Sequence, residues 1–172
     1  MSLSNTLARA DADLAAGRVP LARQRLRGLV SSFPCELAPR RRLAGVYRLY
    51  GDPAEAGRWT YLEGDRDAAE TAAFEARYGS AARRMKALAW RGPEALAATA
   101  FARDRLAEVR EACSAEVGRP VGWDEPVPVD EEDPEPEPGG VSVSGVLAGT
   151  GCLLCVLATV YIWILGVISL FD

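Results

Sequence analysis

The sequence predicts an all-α protein, with a domain of helical hairpins followed by a single transmembrane helix at the C-terminus. Three patterns indicate this. Apolar residues recur at helical spacing through the first hundred or so residues. A segment rich in Pro and acidic residues follows, and residues 141–171 contain no charged residue. We therefore divide the chain into a helical domain (1–118), a disordered acidic linker (119–140) and a transmembrane helix (141–171).

The first third of the chain reads as four amphipathic helices. Gly17 and Gly51 follow the apolar stripes of the first and third helices, and Pro20 and Pro53 stand in the first turn of the second and fourth. These are the helix ends at which glycine and proline are favoured. We expect the fourth helix to end near Gly64.

The residues from 66 to 116 are predicted to be helical as well, and to complete the core. Five of their apolar side chains are expected to cover the open end of the hairpins: Phe74, Tyr78, Met85, Leu88 and Trp90. A last helix is expected from Glu94 to Glu116, and the apolar residues that it presents are Leu96, Ala100, Leu106 and Val109.

The first two hairpins repeat with a period of 34 residues. Residues of the same type stand 34 apart at four places: Leu3 and Leu37, Ala10 and Ala44, Gly17 and Gly51, and Ala22 and Ala56. The stretch 43–56 carries Leu, a small residue, Tyr, a Gly-Asp turn and Ala in the order typical of the tetratricopeptide repeat. Residues 3–64 therefore resemble that family. The resemblance implies stacked, tetratricopeptide-like hairpins, with a binding groove lined by the first helix of each hairpin.

Three positions depart from the family pattern. Arg40 stands where an aromatic residue is usual, Thr60 replaces a large apolar residue, and Asp13 stands where the second copy has Tyr47. The domain also resembles an uncharacterised actinobacterial family, through its opening Ser-Leu-Ser-Asn-Thr-Leu-Ala-Arg-Ala-Asp-Ala-Asp-Leu and its Ala-Gly-Arg-Trp-Thr-Tyr-Leu stretch. That resemblance implies a source and a domain extent, but it implies no activity.

The usual equipment of catalysis is missing from the sequence. There is no histidine, which removes the commonest general base and the commonest metal ligand. The sequence contains no phosphate-binding loop, no His/Cys metal spacing and no nucleophile elbow. We therefore expect a protein that is not an enzyme and that holds neither a cofactor nor a metal.

Binding to a partner is better supported than catalysis. If the geometry of the resembled family applies, Arg41, Gly45 and Arg48 face the groove. Two guanidinium groups there suit an acidic protein or peptide, because arginine binds carboxylates with paired, charge-assisted hydrogen bonds. The plainer interpretation is that they are ordinary exposed arginines.

A second interpretation of the basic residues is attraction to an anionic surface. It involves six arginines: Arg23, Arg25, Arg27, Arg40, Arg41 and Arg42. Residues 1–119 hold all 20 basic residues and 15 of the 24 acidic ones. This modest excess, without aromatic residues among the basic ones, argues against nucleic acid. Of the two anionic surfaces, the sequence favours a membrane over nucleic acid.

The uncharged C-terminal stretch predicts a membrane anchor. Its most apolar part, 146–170, is 25 residues long, or about 37 Å as a helix, which spans a hydrocarbon core of about 30 Å. The first 17 residues contain Arg9, Asp11 and Asp13 and lack an apolar stretch typical of a secretory signal. We expect a single-pass protein of the cell membrane, tail-anchored, with its N-terminal domain in the cytoplasm.

Small residues within the anchor suggest a helix-packing face. Gly145 and Gly149 form a G-x-x-x-G pair, and Ala148 and Cys152 lie on an adjoining stripe. Small residues allow two membrane helices to approach closely, so this face is a candidate for a homodimer.

Two functions remain open. The first is a membrane-tethered interaction module, a scaffold or adaptor that concentrates a partner at the inner face of the membrane. The second is a structural membrane protein that acts mainly by self-association through its transmembrane helix. In either case the acidic linker is a spacer, or else a tether that competes with an anionic ligand for the basic domain.

Overall fold

The computed structural model describes residues 2–127, and this part of the chain is built from α-helices and contains no strand. Its seven α-helices are α1 (Leu3–Ala15), α2 (Val19–Ser32), α3 (Leu37–Leu49), α4 (Pro53–Thr60), α5 (Ala68–Arg77), α6 (Ala81–Leu88) and α7 (Ala100–Val117). A short 3₁₀ turn, Glu94–Leu96, lies between α6 and α7. The predicted all-α class is confirmed for this part of the chain.

Most of these helices begin at a side chain that caps them. In five cases an oxygen of the residue before the helix accepts a hydrogen bond from a backbone N–H in the first turn, and the residues are Ser2, Asp52, Asp67, Ser80 and Thr99. Such a cap satisfies one of the amide groups that the helix itself leaves unpaired. The helix starts are therefore set locally by the sequence.

The predicted 34-residue period is present in the backbone. Helices α1 and α3 each have 13 residues and begin 34 positions apart. The turns after them match as well: Gly17 and Gly51 have φ values of +71° and +68°. The next amide in each turn donates to the carbonyl five residues earlier, Arg18 to Asp13 at 2.8 Å and Asp52 to Tyr47 at 3.0 Å. The first two hairpins therefore form a helical repeat.

Asp13 is buried where the second repeat buries Tyr47. Only 5% of Asp13 is exposed, and its carboxylate accepts hydrogen bonds from Arg18 at 2.8 Å and Arg25 at 2.7 Å. These bonds hold the pKa of Asp13 below its usual value. A paired charge in the first hairpin thus takes the place of an aromatic ring in the second.

The apolar side chains form two clusters. The first is built by α1 to α4 around residues such as Leu26, Leu43 and Tyr47. The second is built mainly by α5 to α7 and includes Phe74 and Leu106. Four of the five side chains expected to cover the hairpins are buried, but they belong to this second cluster.

The helices of the C-terminal half differ in extent from the prediction. Helix α4 ends at Thr60, before Gly64, because the chain turns there and buries Tyr61 and Leu62 in the second cluster. The predicted last helix is interrupted before Thr99, which caps a new helix start. Leu96 is consequently 56% exposed.

A buried arginine joins the two clusters. Arg40 on α3 is 1% exposed, although the sequence analysis grouped it with a basic surface. Its guanidinium donates to the carbonyls of Leu88 at 2.7 Å and Ala89 at 3.1 Å, where α6 ends. It also lies 5.7 Å from the ring of Trp59 in the first cluster and 5.8 Å from that of Trp90 in the second. A cation is favoured there, because the C-terminal carbonyls of a helix carry partial negative charge.

Arg58 on α4 reinforces this contact. It donates to the carbonyl of Ala87 at 2.6 Å and stacks on the ring of Trp59 at 4.5 Å. The buried carboxylate of Glu55 accepts from Arg58 at 3.3 Å and from the hydroxyl of Tyr78 at 2.7 Å. Burial and the nearby Arg58 lower the pKa of Arg40 to about 10, so Arg40 remains charged at neutral pH.

The packed region extends beyond residue 118. Val121 is 4% exposed, and the indole N–H of Trp123 donates to Glu94 at 3.0 Å. Asp124 accepts from the amide of Gly92 at 3.1 Å, and Val127 packs against the second cluster. The remainder of the predicted linker and the predicted transmembrane helix lie outside the described residues. Within residues 2–127, no helix is long and apolar enough to cross a membrane.

We predict that replacing Arg40 strongly destabilises the domain. Arg40→Met removes a charged donor from the carbonyls of Pro34, Leu88 and Ala89, and the expected loss is about 1.5–3 kcal/mol of unfolding free energy. The neighbouring Arg42→Met is the matched control, because Arg42 makes a largely exposed pair with Asp11 and its loss costs under about 1 kcal/mol. Urea unfolding followed by circular dichroism measures both, and equal effects would contradict this role of Arg40.

We predict that alanine substitution has opposite effects on stability at two helical glycines, Gly57 and Gly45. A Cβ on Gly57 would stand 2.0 Å from the carbonyl oxygen of Glu70, so α4 and α5 can approach only because this side chain is absent. Gly57→Ala should cost about 1–3 kcal/mol or more. Gly45→Ala meets nothing within 4 Å and should raise stability by up to about 1 kcal/mol through helix propensity. The same unfolding measurement tests both, and a neutral Gly57→Ala would refute the close approach.

Candidate functional site

The predicted binding residues lie along one side of α3. Arg41, Gly45 and Arg48 are spaced by four and three positions, which places them on the same face of a helix. The opposite side of α3 is buried through Leu43 and Val46, both 0% exposed. The side chains of Arg41 and Arg48 are 61% and 47% exposed. The structure therefore presents these residues together at the surface, about 10 Å apart along the axis for seven residues.

Arg41 already holds a carboxylate of its own chain. Its Nε and Nη2 atoms donate to the two oxygens of Glu63 at 3.2 Å and 2.5 Å. The side chain of Glu63 is only 8% exposed, and Asp65 lies 3.8 Å from the same guanidinium. The hydrogen bonds with Glu63 raise the pKa of Arg41 above its ordinary value.

Arg48, seven residues after Arg41 on α3, makes the same kind of pair. Its Nε and Nη2 atoms donate to the two oxygens of Glu70 at 2.6 Å and 2.7 Å, and the side chain of Glu70 is 14% exposed. The hydrogen bond with Glu70 raises the pKa of Arg48. Each arginine thus makes the two parallel bonds by which a guanidinium recognises a carboxylate.

Glu63 and Glu70 were not among the predicted site residues. Glu63 follows Arg41 by 22 residues, and Glu70 follows Arg48 by the same number. The glutamates are therefore spaced by seven residues, as the arginines are, and this equal spacing is the signal that was present in the sequence. Helical spacing within α3 did not reveal it, because Glu63 precedes α5 and Glu70 lies in its first turn.

Part of each guanidinium is still available for a further contact. An arginine has five N–H donors, and among residues 2–127 no acceptor bonds to the Nη1 atom of Arg41 or Arg48. The space above Gly45 is open, since a Cβ there would meet nothing within 4 Å. Leu49, next to Arg48, is 68% exposed. The α3 face formed by Arg41, Gly45, Arg48 and Leu49 therefore offers two fixed cations and an apolar side chain.

The other arginines of the sequence analysis do not extend this face as a single surface. Arg40 is buried, Arg25 pairs with Asp13 at 2.7 Å, and Arg42 pairs with Asp11 at 2.8 Å. Within residues 2–127, no group of three or more His, Cys, Asp or Glu is arranged to hold a metal ion. The predicted packing residues Gly145, Ala148, Gly149 and Cys152 lie outside the described residues.

We predict that the Arg41–Glu63 pair is coupled. Arg41→Met leaves the nearly buried Glu63 carboxylate without its partner and should cost about 1.5–3 kcal/mol. The double variant Arg41→Met/Glu63→Met removes the buried charge as well and should recover part of that loss. Unfolding free energies of both single variants and the double variant give the coupling energy. Additive effects would show that the pair has no energetic significance.

Comparison with known proteins identifies a family and no activity. Neither the curated proteins nor the solved structures contain a significant match to the chain. A family model described as a family of unknown function (DUF6584) matches residues 1–172. The chain therefore belongs to the DUF6584 family.

Proposed function

We propose that this protein is a membrane-tethered interaction module that binds an acidic polypeptide segment along the α3 face. The observation that carries the proposal is the pair of bidentate arginines, each held by a glutamate that is itself largely buried. A carboxylate of the partner is expected to bind the remaining donors of Arg41 and Arg48. The exposed Leu49 adds an apolar contact beside them.

The glutamates support this proposal by holding the arginines in position. A free arginine side chain loses about 2 kcal/mol of rotamer entropy when it is immobilised. Arg41 and Arg48 have already lost part of this freedom through Glu63 and Glu70, so a partner loses less on binding. The same glutamates also weaken the site, because they neutralise most of its charge. We therefore expect affinity to depend on two carboxylates at matching spacing and not on total charge.

The tetratricopeptide-like character of the domain is part of the proposal. The 34-residue offset of α1 and α3 and the matching glycine turns favour it. In that family the first helix of each hairpin lines the binding groove, and α3 is such a helix. The short α4 and the separate second cluster distinguish this domain from a regular array.

The membrane tether is proposed from the sequence of residues 141–171, which contains no charge. The actinobacterial source and the cytoplasmic position of the N-terminal domain are also proposed from the sequence. Carbonate extraction of membranes, followed by protease treatment of intact spheroplasts, tests the tether and its orientation. A chain recovered in the soluble fraction would contradict the tether and would leave the α3 site untouched.

We predict that Arg41→Glu/Arg48→Glu abolishes carboxylate recognition. The measurement is fluorescence anisotropy of the full chain with a labelled peptide that has a free C-terminus and two glutamates about 10 Å apart, the spacing of the two arginines along α3. Loss of two charge-assisted contacts should weaken binding at least about tenfold, which corresponds to about 1.4 kcal/mol. Binding should also fall with added salt.

The control variant changes the same net charge elsewhere. Arg42→Glu/Arg103→Glu alters Arg42 on the side of α3 that pairs with Asp11 and the exposed Arg103 on α7. We expect this variant to bind the peptide nearly as well as the unchanged protein. Equal losses in both variants would mean that only overall charge attracts the peptide, and the α3 site would be abandoned.

The alternative proposal is a structural membrane protein that self-associates through Gly145 and Gly149. The two proposals differ in their response to mutation. Self-association predicts that Gly149→Leu disrupts the oligomer and the phenotype, while Arg41 and Arg48 are dispensable. The interaction module predicts that Arg41→Glu/Arg48→Glu loses the partner while the oligomer persists.

A further inference from the structure

A second group of arginines lies where the loop between α4 and α5 meets α7. The guanidinium carbon of Arg66, in that loop, is 5.9 Å from the centre of the Tyr61 ring, and that of Arg105, on α7, is 5.3 Å from the same ring. Arg66 also lies 4.7 Å from the ring of Phe101, which is four residues before Arg105 and therefore on the same face of α7. We call Arg66, Arg105, Tyr61 and Phe101 the Tyr61 site.

The Tyr61 ring fixes the place of this site on the domain. Tyr61 is 3% exposed, and its ring packs edge-on against Phe74 with 5.0 Å between the ring centres. Its hydroxyl donates to the carboxylate of Glu75 at 2.9 Å. The two arginines are only partly buried, so they cover a rigid ring of the second cluster and still reach solvent.

Arg84 on α6 adds a third positive charge. Burial and the hydrogen bond with Glu75 raise the pKa of the Tyr61 hydroxyl, whereas the charges of Arg105 and Arg84 act in the opposite direction. Arg84 is therefore close enough to act on the same hydroxyl as Arg105. It donates to the carbonyl of Gly79 at 3.3 Å and forms no salt bridge within residues 2–127.

Arg66 has all of its N–H donors available. Within residues 2–127 it forms neither a hydrogen bond nor a salt bridge. Its contacts with the two rings use the charge of the guanidinium and leave its five N–H donors without an acceptor. The acidic neighbours of Arg66 are engaged elsewhere, because Asp65 lies 3.8 Å from Arg41 and Asp67 accepts from the amide of Glu70 at 2.8 Å.

Arg105 is paired only at the surface. Its partner Glu108 is three residues further along α7, and the side chain of Glu108 is 61% exposed. An exposed pair of this kind adds little stability, so an incoming anion can take the place of Glu108. Glu63 and Glu70 on the α3 face differ in this respect, because both are largely buried.

The number of guanidinium groups indicates which anion fits. A carboxylate has two oxygens, and a single guanidinium bonds both, as Arg41 does with Glu63. A phosphate monoester has three terminal oxygens and about two negative charges at neutral pH, so it can accept paired bonds from two guanidiniums at once.

We propose that the Tyr61 site binds the phosphate group of a phosphate monoester through Arg66 and Arg105. Arg84 contributes to the positive potential there, and Glu108 is displaced when the phosphate binds. This inference does not depend on the α3 site.

Isothermal titration calorimetry of the full chain in non-ionic detergent tests the proposal. The probes are inorganic phosphate and glycerol phosphate, with acetate as the carboxylate reference. We expect saturable binding of both phosphates and at least about tenfold weaker binding of acetate. Tighter binding of glycerol phosphate than of inorganic phosphate would indicate an esterified ligand, whereas equal affinity would indicate that the phosphate group alone is recognised.

Matched variants locate the binding. Arg66→Gln/Arg105→Gln should weaken phosphate binding at least about tenfold. Arg91→Gln/Arg103→Gln removes the same charge from two exposed arginines that form no salt bridge within residues 2–127, and it should leave binding nearly unchanged. Glu108→Gln removes the competing carboxylate and should strengthen binding about two- to fivefold.

A charge-conserving variant covers the case in which the double glutamine variant fails to fold. Arg66→Lys/Arg105→Lys keeps both charges but cannot form the paired, planar bonds, so we expect it to remain folded by circular dichroism and to bind phosphate more weakly. Three results would overturn the proposal: no saturable binding of either phosphate, acetate binding as tight as phosphate binding, or equal losses in the site variant and the Arg91/Arg103 control.

Discussion

The packing of this domain depends on a buried cation at the end of a short helix. Arg40 reaches from α3 to the last carbonyls of α6 and lies between one tryptophan of each apolar cluster. Each cluster alone would be a small hydrophobic core, and small domains bury only a limited fraction of their surface. The guanidinium satisfies carbonyls that would otherwise be buried without a donor. This contact holds the end of α6 against the second hairpin.

The arginines of the domain serve three different purposes. Arg40 and Arg58 are held within the packing and bond backbone carbonyls of α6. Others pair across helices with largely buried glutamates, as Arg48 does with Glu70. Arginines of a third kind, such as Arg91, are exposed and form no salt bridge within residues 2–127. Composition alone shows an arginine-rich domain, whereas the functional distinction lies in what each guanidinium contacts.

The departures from the repeat pattern have physical explanations. Asp13 replaces the ring of Tyr47 with a carboxylate that two arginines neutralise, and a buried charge is tolerated only when it is paired in this way. Arg40 replaces an aromatic residue because α6 ends against the second hairpin and leaves carbonyls to be satisfied. The Arg40 departure occurs where a third element, α6, contacts the hairpin, whereas Asp13 is neutralised by arginines of its own hairpin.

The sequence by itself determined the features that depend on neighbouring residues. The hairpins and their 34-residue offset follow from helical periodicity, from the glycine turns at Gly17 and Gly51 and from the capping residues. The sequence also placed Arg41, Gly45 and Arg48 on one face. Only the tertiary structure decided that Arg40 is buried and that Arg41 and Arg48 each hold a glutamate 22 residues further along the chain. Such contacts join residues far apart in the chain, and local pattern contains no information about which distant side chain fills the space.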